Sequence, residues 1–322
     1  MRRYSKPMID THPISFAGLT PSPAWAFAEY QRIRKTLPAG LPPEQAPCTR
    51  ELESLEPLLD HFQVFVFDAF GVLNAGPRAF PSAISRIRQL QQRGKTVRIL
   101  SNAATASHSA LVAKYRGMGF DIGHDQLISS RSVLEQSLSR QLRKGKFGVL
   151  SPASSAPDTL GVDWLPVRPG IRADDLDRLD GFIFLSSEGW NEEIQEALAK
   201  SLARHPRPLL VANPDLVAPR GDCLTLEPGY FAHRLMSQSA IEPEFFGKPY
   251  RPAFDAVLEN LGAKDPGEVL MVGDTLHTDI LGGQAAGMKT MLITAEGALQ
   301  GMNIPDCIAQ SGIVPDFIAP MI

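Results

Sequence analysis

The run Val64-Phe65-Val66-Phe67 is β-branched and aromatic throughout, and it stops at Asp68, ahead of the turn Ala69-Phe70-Gly71. A strand that is apolar on both faces must be covered on both, which points to a parallel sheet flanked by helices. Residues 81–93 read as the next helix, closed by Gly94, and residues 96–100 as a second apolar strand ending in Ser101-Asn102. Strand, helix and strand in that order imply a right-handed crossover. The alternation returns near the carboxyl end, with a helix over 252–261, a strand over 268–272, a helix over 276–286 and a strand over 290–293. In such α/β sheets chemistry collects at the carboxyl ends of the strands.

Between the two halves, residues 103–246 carry their own alternation: strands over 147–150, 181–185 and 208–211, and a helix over 192–204. That is enough chain for a separate α/β domain. The division expected is a helical extension over 1–60, a discontinuous core from 61–104 and 245–322, and a second domain over 105–244. Prolines at 7, 13, 21, 23, 38, 42, 43, 47 and 57 break the extension into short pieces. Helices are expected over 23–35, with Trp25, Ala28 and Ile33 toward one side, and over 51–60.

Lysine and arginine number 32 against 35 acids, a net charge of −3, so no broad field attracts nucleic acid or an anionic membrane. Small-molecule chemistry suits that balance better. Cys48, Cys223 and Cys307 are odd in number and widely spaced, which favours neither a disulfide framework nor a zinc site. With no apolar run of membrane-spanning length, a soluble cytoplasmic protein is the expectation.

Four polar clusters fall just behind the core strands or the turn that re-enters them. Asp68 could attack phosphorus and form an acyl phosphate, with Gly71 turning the backbone beneath an incoming anion. Taken alone it is a weak pattern, because an Asp ahead of a turn glycine is commonly a helix cap or loop residue. Ser101-Asn102 could hold phosphoryl oxygens or cap the following helix. Gly247-Lys248-Pro249 places an ammonium group on a rigid turn. Gly273-Asp274-Thr275-Leu276-His277-Thr278-Asp279 offers two carboxylates to a hard cation, or a helix cap and a wet helix face.

The four clusters, in this order, resemble the haloacid dehalogenase (HAD) superfamily from about residue 62 onward. The long insertion, with Ala212-Asn213-Pro214-Asp215 and Glu227-Pro228-Gly229 ahead of Lys248, resembles its class IIA, NagD-like or nitrophenylphosphatase-like, branch. The resemblance implies a Rossmann-like parallel-sheet core with an inserted α/β cap, and a Mg2+-dependent hydrolase acting on a small phosphorylated metabolite. It makes Asp68 the nucleophile and Lys248 its catalytic partner. Ser101, Asn102, Lys248, Asn213 and Asp215 become phosphate or substrate contacts; Asp68, the Phe70 backbone carbonyl, Asp274 and Asp279 become metal ligands. It also admits a homodimer through the cap.

One position departs from the pattern. Phosphatases of this family carry an aspartate two residues after the nucleophile, as general acid and base, and here that residue is Phe70. Such assistance is worth about 10²- to 10⁴-fold in rate. Three readings follow: a phosphatase with an unusual substrate range, a non-phosphate hydrolase such as a dehalogenase, and a degenerate protein that binds phosphorylated ligands. His277 could supply the missing acid, although its loop-to-helix position suits a supporting role; His108 and His124 have weaker claims. Trp164 and Trp190 could line a substrate pocket or simply pack within the cap.

Overall fold

The computed structural model describes residues 21–141, 144–220, 223–262 and 265–322. The first twenty residues of the expected extension, with Pro7 and Pro13, lie outside them. The apolar runs form a seven-stranded sheet in which every neighbouring pair is parallel, in the order Arg50–Glu51, Phe317–Ala319, Lys289–Ile293, Val269–Gly273, Val64–Phe67, Thr96–Ser101, Leu127–Ser129. Val64–Phe67 is buried along its whole length because strands flank it and helices cover both faces. The helices Pro81–Gln92 and Arg251–Leu261 turn apolar stripes toward the sheet from opposite sides, joining the clusters around Phe65 and Val66 respectively.

A second sheet of five parallel strands, Glu244–Phe245, Leu209–Val211, Gly181–Phe184, Lys146–Leu150 and Asp163–Pro166, carries the helices Glu192–Arg204 and Pro228–Gln238. Its expected elements sit within a residue or two of their predicted places. Residues 105–140, expected in the second domain, instead accompany the larger sheet: Leu127–Ser129 pairs with Thr96–Ser101, and the helix Ser130–Arg140 packs against Arg251–Leu261. The three-residue strand is too short to stand out in the sequence.

The extension needs two corrections. Residues 51–60 do not form a helix. Arg50–Glu51 adds a parallel edge strand to Phe317–Ala319, and only Glu56–Leu58 coils, because Pro57 cannot sit inside a longer helix. The helix at Pro23–Arg32 exists, with Ser22 capping the Trp25 amide. However, it buries Ala26, Phe27, Tyr30 and the following Ile33, leaving Ala28 exposed and Trp25 half-buried against Tyr230.

Arg131 fastens the two units together. Its guanidinium is fully buried and donates to the carbonyls of Thr105, Ser155 and Ala156 at 3.1, 2.6 and 2.8 Å and to the Thr159 hydroxyl at 2.8 Å, and Nε pairs with Glu135 at 2.9 Å. Ala156 is held at φ 48°, a conformation that alanine disfavours, so its carbonyl depends on this anchor. Arg131→Leu orphans several buried acceptors at once, and a loss of about 3–5 kcal/mol is expected by denaturant melt. An unchanged midpoint would remove Arg131 from that role. Among the described residues no helix is long and apolar enough to cross a membrane.

Candidate active site

The order of the sheet decides which strand ends meet. Val64–Phe67 lies between Thr96–Ser101 and Val269–Gly273, and the Asp68 amide continues the ladder by donating to the Val272 carbonyl at 2.8 Å. Asp68, Ser101-Asn102 and Asp274 therefore emerge side by side. The Lys248 ammonium contacts Asp68 Oδ1 directly and lies 2.7 Å from Asp279 Oδ1. Its backbone is held from both sides by one side chain: Asn102 Oδ1 accepts from the Lys248 amide at 2.7 Å, and Asn102 Nδ2 donates to its carbonyl at 3.0 Å. Gly247 is required beside this clamp, because a Cβ there would stand 2.5 Å from Asn102 Oδ1 and from Pro214.

Asp68, Asp274 and Asp279 each bring a carboxylate oxygen within 4.8 Å of the others. Asp274 is aimed by the Ala298 amide, which donates to Oδ2 at 2.7 Å, and by the Thr275 hydroxyl at 3.0 Å from Oδ1. Asp279 is wholly buried. The helix expected over 276–286 opens as a wide π turn, Leu276–Ile280, before becoming α-helical over Leu281–Ala285, and the wide turn folds the Asp279 carboxylate back to accept from the Thr275 amide at 3.1 Å. Room comes from glycine: a Cβ on Gly297 or Gly71 would stand 1.9 or 2.4 Å from Asp274 Oδ2, and one on Gly273 2.2 Å from the Asp279 side chain.

Burial together with mutual repulsion sets the charge state. The Asp274 carboxyl is raised well above the usual range by burial, then by Asp68 and Asp279. Asp68 is raised to about 6 by burial, with Lys248 pulling it down and Asp279 pushing it up. Burial alone would lower the Lys248 ammonium, but Asp279 and Asp68 override it and hold the proton on. One lysine against three acids leaves the cluster short of positive charge.

A cavity of about 360 Å³ lies over this floor. Phe70 is in its lining, so residue 70 supplies no carboxylate there. Ser101 and Asn102 line it, and the buried Tyr115 hydroxyl stands beside Ser101. From the second unit come the hairpin residues Val217 and Leu224, together with Asn213, Asp215 and Glu227. Asn213 donates to Glu227 at 3.1 Å and accepts from the Asp215 amide at 3.0 Å, while Asp215 Oδ1 accepts from Asn102 Nδ2 at 2.8 Å. The structure thus brings the residues of the four polar clusters, together with Asn213 and Asp215, to one place.

The amino-terminal helix is the wall that the sequence did not reveal. Ala26, Phe27 and Tyr30 face the cavity, and the Tyr30 hydroxyl accepts from the Leu216 amide at 3.2 Å, next to Asp215. Tyr30 also stacks on His277 at 5.1 Å, Phe27 meets the same ring edge-on at 5.2 Å, and Gln31 Oε1 lies 2.9 Å from His277 Nε2. His277 is pushed down to about 3, by burial and then by Arg34, so it is a neutral packing group rather than the missing acid. His108 and His124 face each other outside this cavity, and Trp190 is packed between Phe184 and Phe231. Trp164 donates to Asp158 at 3.0 Å and does not line the cavity.

Known proteins resemble this chain in sequence and fold. Residues 65–158 match the model of the haloacid dehalogenase-like hydrolases and residues 245–319 a second, HAD-hydrolase-like model; together they take in just over half of the chain, including all four polar clusters. The chain belongs to the haloacid dehalogenase superfamily. Glycerol-3-phosphate phosphatase of Homo sapiens is 28% identical over 316 residues, covering 85% of this chain and 93% of its own, and chronophin of Bos taurus is 29% identical over 286 residues, covering 82% and 92%. A possible sugar phosphatase of the HAD superfamily from Cytophaga hutchinsonii superposes with a TM-score of 0.72 at 29% identity, covering 84% of this chain and 98% of its own. These relatives and the inserted five-stranded unit place this HAD protein in class IIA, and it is a hydrolase.

Proposed function

We propose that this HAD hydrolase is a Mg2+-dependent phosphatase that removes phosphate from a small phosphorylated metabolite through an aspartyl phosphate on Asp68. The convergence of Asp68, Lys248, Asp274 and Asp279 beneath one small cavity carries this reading. A cavity of about 360 Å³ suits a metabolite better than a polymer. The relatives named for glycerol phosphate or sugar phosphate chemistry are consistent with that size class.

The donor set fits a hard divalent ion. Three buried carboxylates and too little positive charge are what Mg2+ asks of a protein that leaves its other positions to water and phosphate, and Asp279 Oδ1 is buried without a well-directed hydrogen bond. Asp68, Asp274 and the Phe70 carbonyl would hold the ion, with Asp279 in support. Bound there, it neutralises charge on the transferred phosphoryl group. Lys248 keeps Asp68 ionised and oriented, the Ser101 hydroxyl and the Asn102 backbone amide receive phosphoryl oxygens, and the smaller unit acts as a cap that excludes water above them. Asn213 and Asp215 face the leaving group.

The three-carboxylate cluster argues against a dehalogenase, whose chemistry needs no metal, and the intact nucleophile argues against a purely binding protein. A screen of phosphate esters with and without chelator tests the reading; activity that survives chelation sinks it. Calorimetry gives an independent check: Asp274→Asn is expected to lower Mg2+ affinity by about tenfold or more.

A further inference from the structure

An alcohol leaves phosphorus as an alkoxide unless something protonates it, and residue 70, a phenylalanine, has no proton to give. Among the described residues lining the cavity, the other candidates are occupied, neutral or exposed to solvent. Lys248 is shared between Asp68 and Asp279. His277 is neutral and packed under Tyr30. Tyr115 is raised by burial and stands beside Ser101 at the phosphate end. Lys114 is exposed at the rim, above the Tyr115 ring. Both Glu227 oxygens are engaged, accepting hydrogen bonds from Asn213 and from Thr225.

Asp215 differs from all of these. It comes from the cap side and faces the same cavity as Asp68. One oxygen, Oδ1, is fixed by Asn102, the side chain that also clamps Lys248, so its distance from the nucleophile's partner is set by a single intervening residue. Its amide is tied to Asn213 and its carbonyl accepts from Gly229 at 3.1 Å, which holds the loop still. The charged and titratable groups around it are Lys248, Asp68, Glu227 and Tyr30. We infer that Asp215 is the proton donor to the leaving oxygen, doing from the cap what residue 70 cannot do from the core. The assignment rests on the phosphatase reading above and goes beyond it by giving a substrate-facing residue a chemical step.

The step balances. Asp68 forms a bond to phosphorus as the bond to the leaving oxygen breaks, and the Asp215 proton passes to that oxygen, releasing a neutral alcohol. Asp215, now a carboxylate, takes a proton from the water that attacks the aspartyl phosphate; phosphate departs and both aspartates return to their starting states. Burial pushes the Asp215 carboxyl up to about 7, against the pull of Lys248 and Asn102 and with Asp68 and Glu227 adding to it, so the proton is held up to neutral pH.

Asp215→Asn keeps an acceptor for Asn102 and tests the assignment with two esters, glycerol phosphate and p-nitrophenyl phosphate. For glycerol phosphate, whose alcohol needs the proton, kcat/KM is expected to fall by about 100-fold or more. For nitrophenyl phosphate, whose phenol leaves unaided, it should fall less than about fivefold, while kcat drops and a burst of nitrophenol appears as the intermediate waits for its base. Wild-type kcat/KM on glycerol phosphate should decline as pH rises through about 7, and Asp215→Asn should lack that limb. Adding Phe70→Asp to Asp215→Asn should restore glycerol phosphate turnover by tenfold or more. Equal losses on both esters, or no loss on either, overturn the assignment. Activity that persists in Asp68→Asn refutes the underlying phosphatase reading instead, and Asp215 falls with it.

Discussion

Asp68→Asn is expected to lower kcat/KM by about 10⁴-fold or more on every phosphate ester, the aryl esters included, because it removes the nucleophile and leaves only binding and positioning. The substitution should not harm the fold. Burial and Asp279 hold the Asp68 carboxyl above its usual range, so the native state binds this proton more tightly than the unfolded chain does, and ionised Asp68 weakens the fold as pH rises from the unfolded value toward about 6. An uncharged amide of the same shape removes that cost, and Lys248 keeps Asp279 at 2.7 Å. The melting temperature at neutral pH should therefore be unchanged or higher, and affinity for inorganic phosphate retained. More than about one per cent of wild-type activity in a clean preparation would exclude the aspartyl intermediate.

The core of this site was legible because each part of it is local. A strand of four apolar residues ends at Asp68, another at Ser101 and a third at Gly273, and parallel pairing in the usual hand brings those ends together without further information. The amino-terminal wall was not legible because its partners are remote: Tyr30 reaches Leu216, and Gln31 reaches His277, across nearly 200 positions or more. An apolar i, i+3 pair such as Phe27 and Tyr30 announces a buried face but not what buries it. Tyr115 escaped for the same reason, its hydroxyl arriving beside Ser101 only when the helix His108–Gly117 docks. The edge strand at Arg50–Glu51 and the strand Leu127–Ser129 are too short for periodicity to register. Phe70 is the reverse case: the sequence exposes the loss of a carboxylate at once, whereas the replacement inferred at Asp215 needed the cap loop to be seen beside Asn102.

Lys248→Met is expected to destabilise the metal-free fold severely. Methionine fills much of the same volume, so the effect is electrostatic rather than a cavity. With the ammonium gone, Asp68, Asp274 and Asp279 remain buried with no cation among them, and removing one partner of a buried ion pair costs about 3–5 kcal/mol. In the native protein this lysine contributes stability throughout the range below its unfolded pKa, since its folded value is raised, so the loss should be fully present at neutral pH. Two conditions should return part of it. Acid protonates Asp68 and Asp274, whose folded values already lie above their unfolded ones and rise further without the ammonium, so the deficit shrinks as pH falls. Mg2+ bound among the three acids would supply the missing charge, and the variant should gain more from it in a thermal melt than the wild type does. A variant that melts with the wild type in chelator, or gains nothing extra from Mg2+, would mean that Lys248 does not balance the three acids.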